Sequence, residues 1–243
     1  MQTTIIIPCY NEEKRLPVDT FLSFVKKNSD VQFLFVNDGS RDNTAEVLKN
    51  LCAQHQYFAL LDLHKNSGKA EAVRQGMIYA RNHFHSDYIG FWDADLATPL
   101  TEIEKFVECI QKNHYTVVMG CRLMRLGAKV KRKNTRHYIG RVFATIASLI
   151  LMLKVYDTQC GAKLFSVNII DQLFEKPFIS RWLFDVEVLA RYIKSFGFEE
   201  ANKNIYEYPL ASWEDVSGSS IKLKDFFKAP FDLWKIKRHY FIK

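Results

Sequence analysis

Two carboxylates one residue apart, Asp93 and Asp95, follow the apolar run Tyr88–Trp92. On an extended segment that spacing puts both acids on the same side, where both can face one hard cation. Mg²⁺ or Mn²⁺ held in this way keeps positions open for phosphate oxygens and can stabilise a leaving diphosphate. A solvated turn at a strand end would carry the same two acids, so the neighbouring segments must discriminate. Asp38-Gly39-Ser40 follows a second apolar run. By itself it is turn chemistry, with Ser40, Asp42 or Asn43 as helix caps, but doubly wound folds often bind a nucleoside with an acid at the end of strand two. Asn66-Ser67-Gly68-Lys69 opens a helix after a third run. It fits a ligand-binding loop and an ordinary βα connection equally well. Neither G-x-G-x-x-G nor G-x-x-x-x-G-K-[ST] occurs, which argues against a dinucleotide oxidoreductase and a P-loop ATPase.

These residues need a scaffold, and the first half of the chain has the pattern of one. Strands are predicted at Thr4–Ile7, Gln32–Val36, Phe58–Leu63, Tyr88–Trp92 and Val117–Met119. Helices are predicted at Val18–Lys27, Thr44–Gln54, Ala70–Asn82 and Glu102–Lys112. Such alternation specifies a Rossmann-like, doubly wound, mostly parallel α/β sheet, and the unbroken apolar run Phe33–Val36 suits a strand covered on both faces. Ligands of these sheets sit at the carboxyl ends of the strands, where Pro8–Glu12, Asn37–Ser40 and Asp93–Asp95 fall. The second half lacks a clear β-α alternation. It reads as an apolar-faced helix over His137–Val155, another over Trp182–Ile193, and a basic amphipathic helix over Asp225–Tyr240, interrupted or started at Pro230.

Composition narrows the function classes. Five cysteines without a C-x-x-C pair argue against a disulfide framework and a zinc knuckle, and for a reducing, cytoplasmic setting. No secretory signal is recognisable at Met1–Pro8. Val142–Leu153 falls short of the roughly 20 residues needed to span a bilayer. The net charge of +7 implies attraction to phosphate ligands, acidic lipid or nucleic acid. It is concentrated after residue 121, notably over Lys129–Lys133 and Lys222–Lys243. A nucleic-acid-binding protein is the rival from another class, but no recognisable module supports it.

Taken together, Ile6–Pro17, Asp38-Gly39-Ser40, Asn66–Lys69 and Asp93-Ala94-Asp95 resemble glycosyltransferase family 2. Within it, Asp157–Phe165 and Arg181–Glu187 are similar to the dolichyl-phosphate glucosyltransferase branch. The resemblance implies a GT-A fold over residues 1–243 as a single domain, with a nucleotide-sugar half (1–121) and an acceptor-binding, membrane-facing half (122–243). It implies that Pro8, Tyr10, Glu12 and Asp38 cradle the nucleoside, with Lys69 nearby, and that Asp93 and Asp95 bind the diphosphate and its metal, Asp95 being the principal ligand. Arg122 and Arg136 match positions that hold acceptor phosphate. Asp157 is either a catalytic carboxylate near the anomeric carbon or a structural hydrogen-bond acceptor. Trp182, Asp185 and Glu187 would line the sugar side, or the two acids would cap their helix. Ala97 stands where mannosyl-transferring relatives carry glutamine, which favours a glucosyl donor. Asn37 and Cys121 replace an acid and a serine common among relatives.

The implied reaction is inverting transfer of a hexose, glucose from UDP-glucose, onto a polyprenyl or dolichyl phosphate at the cytoplasmic face of a membrane. Physical chemistry agrees: a phosphate monoester is already ionised at neutral pH and needs no strong general base, so positioning and charge neutralisation by arginine can carry the step. A solvated basic surface would explain Lys129–Lys133 equally well. Transfer to a carbohydrate hydroxyl is the alternative; it needs a base, and Asp157 is the nominee. The helix 137–155 and the basic aromatic end 222–243 read as interfacial elements; a core or dimer helix is the other reading of 137–155. No N-terminal anchor is expected, so attachment would be peripheral or through a membrane-protein partner.

Overall fold

Every apolar run of the first half becomes a strand, within two residues of its expected ends: β1 (Thr3–Cys9), β2 (Val31–Asp38), β3 (Phe58–Leu63), β4 (Tyr88–Trp92) and β5 (Val117–Cys121). Between them lie α1 (Val18–Val25), α2 (Thr44–Ala53), α3 (Lys69–His83) and α4 (Glu102–Asn113). The computed structural model describes residues 1–131, 134–214 and 223–242. The chain folds into two units, one of Met1–Leu96 with Ala162–Pro177 and one of Ala97–Gly161 with Phe178–Lys243.

In the first unit the strands run in the order β3-β2-β1-β4, with a fifth strand beyond β4. β1 pairs in parallel with β2 and β4, and β2 with β3. β7 (Ala162–Ser166) runs antiparallel to β4, with Trp92 opposite Ala162. Alternate residues of β2 face opposite layers. Phe33 and Phe35 meet Phe21 of α1 edge-on at 5.2 and 5.1 Å. On the other face α3 lies so close that a Cβ on Gly76 would stand 2.5 Å from Ile6 and 2.9 Å from Val36. Both faces are therefore covered, and the doubly wound, mostly parallel α/β sheet expected from the sequence is present. β7 escaped the sequence reading because an antiparallel partner needs no crossover helix to announce it.

The second unit carries parallel pairs β5–β8 (Ile205–Pro209) and β6 (Lys129–Lys131) with β9 (Ser212–Glu214). Its central helix is α7 (Phe184–Phe196), where every residue from Phe184 to Ile193 is buried. α5 (Asn134–Leu151) and α9 (Leu223–Phe241) pack on α7 and on each other. α9 continues through Pro230 instead of breaking there. Burial of Ala229, Leu233 and Ile236 on one side offsets the backbone hydrogen bond that proline forfeits.

The outward side of α5 departs from an ordinary amphipathic helix. Of its described residues Ala144, Ala147 and Leu151 are buried, whereas Tyr138, Val142, Ile146 and Leu149 are exposed, as is Met152 just beyond its end. On α9, Phe231 and Trp234 are exposed, with Lys235 and Arg238 over their rings at 4.4 and 5.4 Å. Among the described residues no helix is long and apolar enough to cross a membrane.

Candidate functional site

In the first unit the site residues come from strand ends whose loops are stitched together. Asn11 adopts φ 55°; its N–H donates to Ser40 Oγ at 3.0 Å and its Oδ1 accepts from the Arg41 N–H at 2.9 Å. Glu12 N–H donates to Thr44 Oγ1 at 2.8 Å. Pro8 lies within β1 and Tyr10, just beyond it, is exposed.

Asp38, at the end of β2, is 2% exposed. Its Oδ1 accepts the Ser67 N–H at 2.7 Å, and its Oδ2 accepts the Gly68 N–H at 2.8 Å and Asn66 Nδ2 at 2.9 Å. Gly68 has φ 93°, and a Cβ on Gly39 (φ 58°) would stand 2.5 Å from the Asn66 nitrogen. Asp38 thus holds the turn that starts α3 and sets Lys69 on its first residue, a role decided by backbone N–H groups and invisible in residue spacing. The Lys69 ammonium donates to Asp93 Oδ1.

Asp93 and Asp95 do not lie on an extended segment. The chain turns immediately after β4, with Leu96 N–H donating to Asp93 O at 3.1 Å and Leu96 at φ 51°. The expected geometry is corrected accordingly: a turn, not strand alternation, carries the two acids. Glu12 belongs to the same electrostatic neighbourhood. Burial chiefly, with repulsion from Asp95 and Asp42, holds its carboxyl above the ordinary glutamate value against the opposing pull of Arg15. Its Oε2 is buried without a hydrogen-bond partner. These donors fit a hard divalent cation: all are carboxylate oxygens, and the crowded negative charge of Glu12 and Asp95 favours a cation nearby. Among the described residues no three metal-ligating side chains gather, so a cation held by Asp93 and Asp95 would draw its other ligands from water and diphosphate.

In the second unit, Arg122 follows β5 and is gripped by Asp157. Nε and Nη2 donate to Asp157 Oδ2 and Oδ1 at 2.6 and 2.7 Å, and the Arg122 N–H also donates to Oδ2 at 3.1 Å. The guanidinium carbon lies 5.2 Å from the Trp213 ring centre. Both Asp157 oxygens thus serve a guanidinium, an arrangement that orients a cation. The next two residues carry buried polar atoms without partners, Thr158 Oγ1 and Gln159 Nε2. Burial, reinforced by Glu207 and Asp157, raises the Cys121 thiol and keeps it protonated.

Trp182 is half-buried, its ring 6.0 Å from Phe143. Asp185 is buried in the first turn of α7. Glu187, fully buried, accepts the Ile179 N–H at 2.8 Å, Ser180 N–H at 3.3 Å, Arg191 Nη2 at 2.8 Å and Tyr240 OH at 2.8 Å. It ties α7, α9 and the preceding loop. The Arg136 side chain lies outside the described residues.

Sequence reasoning missed Glu207 on β8. Its Oε2 accepts the Tyr156 N–H at 2.6 Å and its Oε1 the Asp157 N–H at 2.7 Å.

Residues 4–174 match the family model described as Glycosyl transferase family 2. A dolichyl-phosphate beta-glucosyltransferase of Saccharomyces cerevisiae is 31% identical, the match covering 98% of this chain and 75% of the yeast protein. Proteins of the same name from Trichomonas vaginalis and Homo sapiens are each 30% identical, covering 98% and 90% of this chain and 71% and 69% of theirs. The fold is similar to glucosyl-3-phosphoglycerate synthase from Mycobacterium tuberculosis, solved with Mn²⁺, uridine-diphosphate and glucosyl-3-phosphoglycerate, at a TM-score of 0.65 and 13% identity over 98% of this chain and 79% of that one. The same synthase with phosphoglyceric acid gives a TM-score of 0.68 at 15% identity, again over 98% and 79%. A family match over most of the sequence, on a GT-A-like sheet with acids after β4, carries one conclusion: this chain belongs to glycosyltransferase family 2.

Proposed function

We propose that the chain transfers glucose from UDP-glucose, with inversion, onto dolichyl or polyprenyl phosphate at the cytoplasmic face of a membrane. The observation that carries the acceptor assignment is the Arg122–Asp157 pair, in which the carboxylate is committed to holding a guanidinium. A carbohydrate hydroxyl would need that carboxylate as a base, whereas an ionised phosphate needs an oriented cation and no base. The names of the relatives support the same acceptor and glucose as the sugar.

In this reading the first unit takes the donor. Pro8, Tyr10, Glu12 and Asp38 form the nucleoside cradle, Asp38 by fixing the turn that presents Lys69, and Lys69 meets the diphosphate alongside Asp93. Mg²⁺ or Mn²⁺ on Asp93 and Asp95, when bound, supplies charge neutralisation for the departing diphosphate. The second unit takes the acceptor: Arg122 and Arg136 hold its phosphate, while Trp182 and Asp185 line the sugar side. The exposed apolar face of α5 and the aromatic-basic face of α9 fit the head-group region of a bilayer, where apolar groups enter and Lys and Arg meet anionic lipid.

The test is transfer from radiolabelled UDP- and GDP-sugars to polyprenyl phosphate in detergent, with Mg²⁺ or Mn²⁺ and with a chelator. Label from UDP-glucose should enter the lipid fraction and disappear with the chelator. Label that remains water-soluble with every donor would refute the lipid-phosphate assignment.

A further inference from the structure

We propose that Glu207 is a positioning residue for Arg122, fixing the acceptor-binding guanidinium through the backbone and carboxylate of Asp157. The functional half of this statement rests on the reading of Arg122 as a phosphate-binding residue; the structural half does not.

Glu207 gives one carboxylate oxygen to each of two consecutive backbone N–H groups, Tyr156 at 2.6 Å and Asp157 at 2.7 Å. Two charge-assisted bonds to adjacent peptides set the orientation of both peptide planes. Asp157 has a single methylene between backbone and carboxylate, so fixing its backbone leaves its carboxylate few positions. That carboxylate then takes Nε and Nη2 of Arg122 in a fork and the Arg122 N–H as well. The chain of contacts runs from Glu207 to Asp157 to the guanidinium without a gap.

The elements explain why the anchor is rigid. Glu207 lies on β8 opposite Met119 of β5, and Pro209 lies opposite Cys121, the residue before Arg122. The Leu210 N–H returns to the Cys121 carbonyl at 3.0 Å, securing the strand end from which Arg122 departs. One strand therefore holds both the strand end just before Arg122, by its ladder, and the partner of the Arg122 side chain, by Glu207. Arg141 supports the loop from the other side, donating to Tyr156 O at 3.2 Å with its guanidinium 3.5 Å from the Tyr156 ring centre. An arginine held before its ligand arrives pays little reorganisation when an anion binds.

The experiment uses the full chain labelled with ¹⁵N-arginine, so that the first readout needs no substrate. Arg122 Nε–H, held in a short charge-assisted bond, should give a slowly exchanging resonance, assigned by its loss in Arg122→Lys. In Glu207→Gln one of the two backbone N–H groups loses its acceptor, and the resonance should shift and exchange at least about tenfold faster, the factor expected when a charged hydrogen bond is lost. An unchanged resonance would overturn the proposal. Asp157→Asn is the positive control, since it breaks the same grip one step nearer.

Steady-state kinetics with UDP-glucose and polyprenyl phosphate supply the second readout. Glu207→Gln should lower kcat/KM for the acceptor by roughly ten- to a hundredfold and leave the donor KM unchanged. In an Arg122→Ala background the same change should add nothing. An equal further loss in that background would overturn the relay, because Glu207 would then act independently of Arg122. A shifted resonance with unaltered acceptor kinetics in both Glu207→Gln and Arg122→Ala would instead sink the phosphate reading while leaving the positioning contact standing.

Discussion

Replacing Asp157 with asparagine separates an orienting carboxylate from a general base. The carboxylate accepts Nε and Nη2 of Arg122 at 2.6 and 2.7 Å, and the side chains of the pair are only 12% and 9% exposed, so solvent screens it little. Asparagine keeps one acceptor oxygen but turns an amide NH₂ towards the other guanidinium N–H, replacing a charged bond with a donor–donor contact. One charge-assisted hydrogen bond contributes about 1.5–3 kcal/mol. For a chain of this length each 1 kcal/mol moves the melting temperature by about 2–4 °C, so thermal unfolding should shift down by roughly 3–12 °C. The same free energy, expressed through a misplaced guanidinium, lowers acceptor kcat/KM by roughly ten- to a hundredfold. Initial rates at saturating donor, measured between about pH 5.5 and 8.5, should give parallel profiles for wild type and Asp157→Asn, displaced but identical in shape. A variant with wild-type acceptor KM whose pH profile loses its rising limb would restore Asp157 as a base.

Three further outcomes follow from the same geometry. Because the folded Glu12 carboxyl is raised above its ordinary value, its contribution to stability is present at pH below the ordinary glutamate range and is lost as pH rises through the raised value. Glu12→Gln should therefore raise the melting temperature at neutral pH, with the gain vanishing in acid, and should weaken UDP-glucose binding; a variant less stable at pH 7 would contradict the assignment. Asp95→Asn should unfold like wild type yet lose Mn²⁺ binding by titration calorimetry and chelator-sensitive turnover, and full activity in it would remove Asp95 from the metal site. Serine at Val142, Ile146 and Leu149, all exposed on α5, should reduce sedimentation with anionic vesicles at least about tenfold, each buried methylene contributing about 0.8 kcal/mol, while melting is unchanged; undiminished vesicle binding would exclude that face.

Much of the fold was legible because parallel strands covered on both faces leave unbroken apolar runs such as Phe33–Val36. Amphipathic crossover segments such as Glu102–Asn113 separate them. β8 was harder to see: Ile205-Tyr206-Glu207-Tyr208-Pro209 is short, mixed in polarity and flanked by a helix of only seven residues, Phe198–Asn204. The acids Asp93 and Asp95 could be identified by type, but their turn could not, because Leu96 at positive φ gives no signal comparable to glycine. Asp38 and Glu207 mark the limit most clearly. Both act on backbone N–H groups of distant segments, and a backbone donor has no residue type for a sequence motif to record. Glu187 is similar: it lies within a segment that suggests a sugar contact, yet its burial and its bonds to Arg191 and Tyr240 give it a structural post.

On the proposed reaction, phosphate and not a hydroxyl attacks the sugar. UDP-[¹⁴C]glucose and Mn²⁺ offered to the enzyme with polyprenyl phosphate in one reaction and the matching polyprenol in another separate the two nucleophiles. Label should enter lipid with the phosphate alone, as a polyprenyl β-glucosyl phosphate with UDP departing, because an inverting transfer from the α-linked donor gives the β anomer. Comparable labelling of the polyprenol, or an α-linked product, would contradict it.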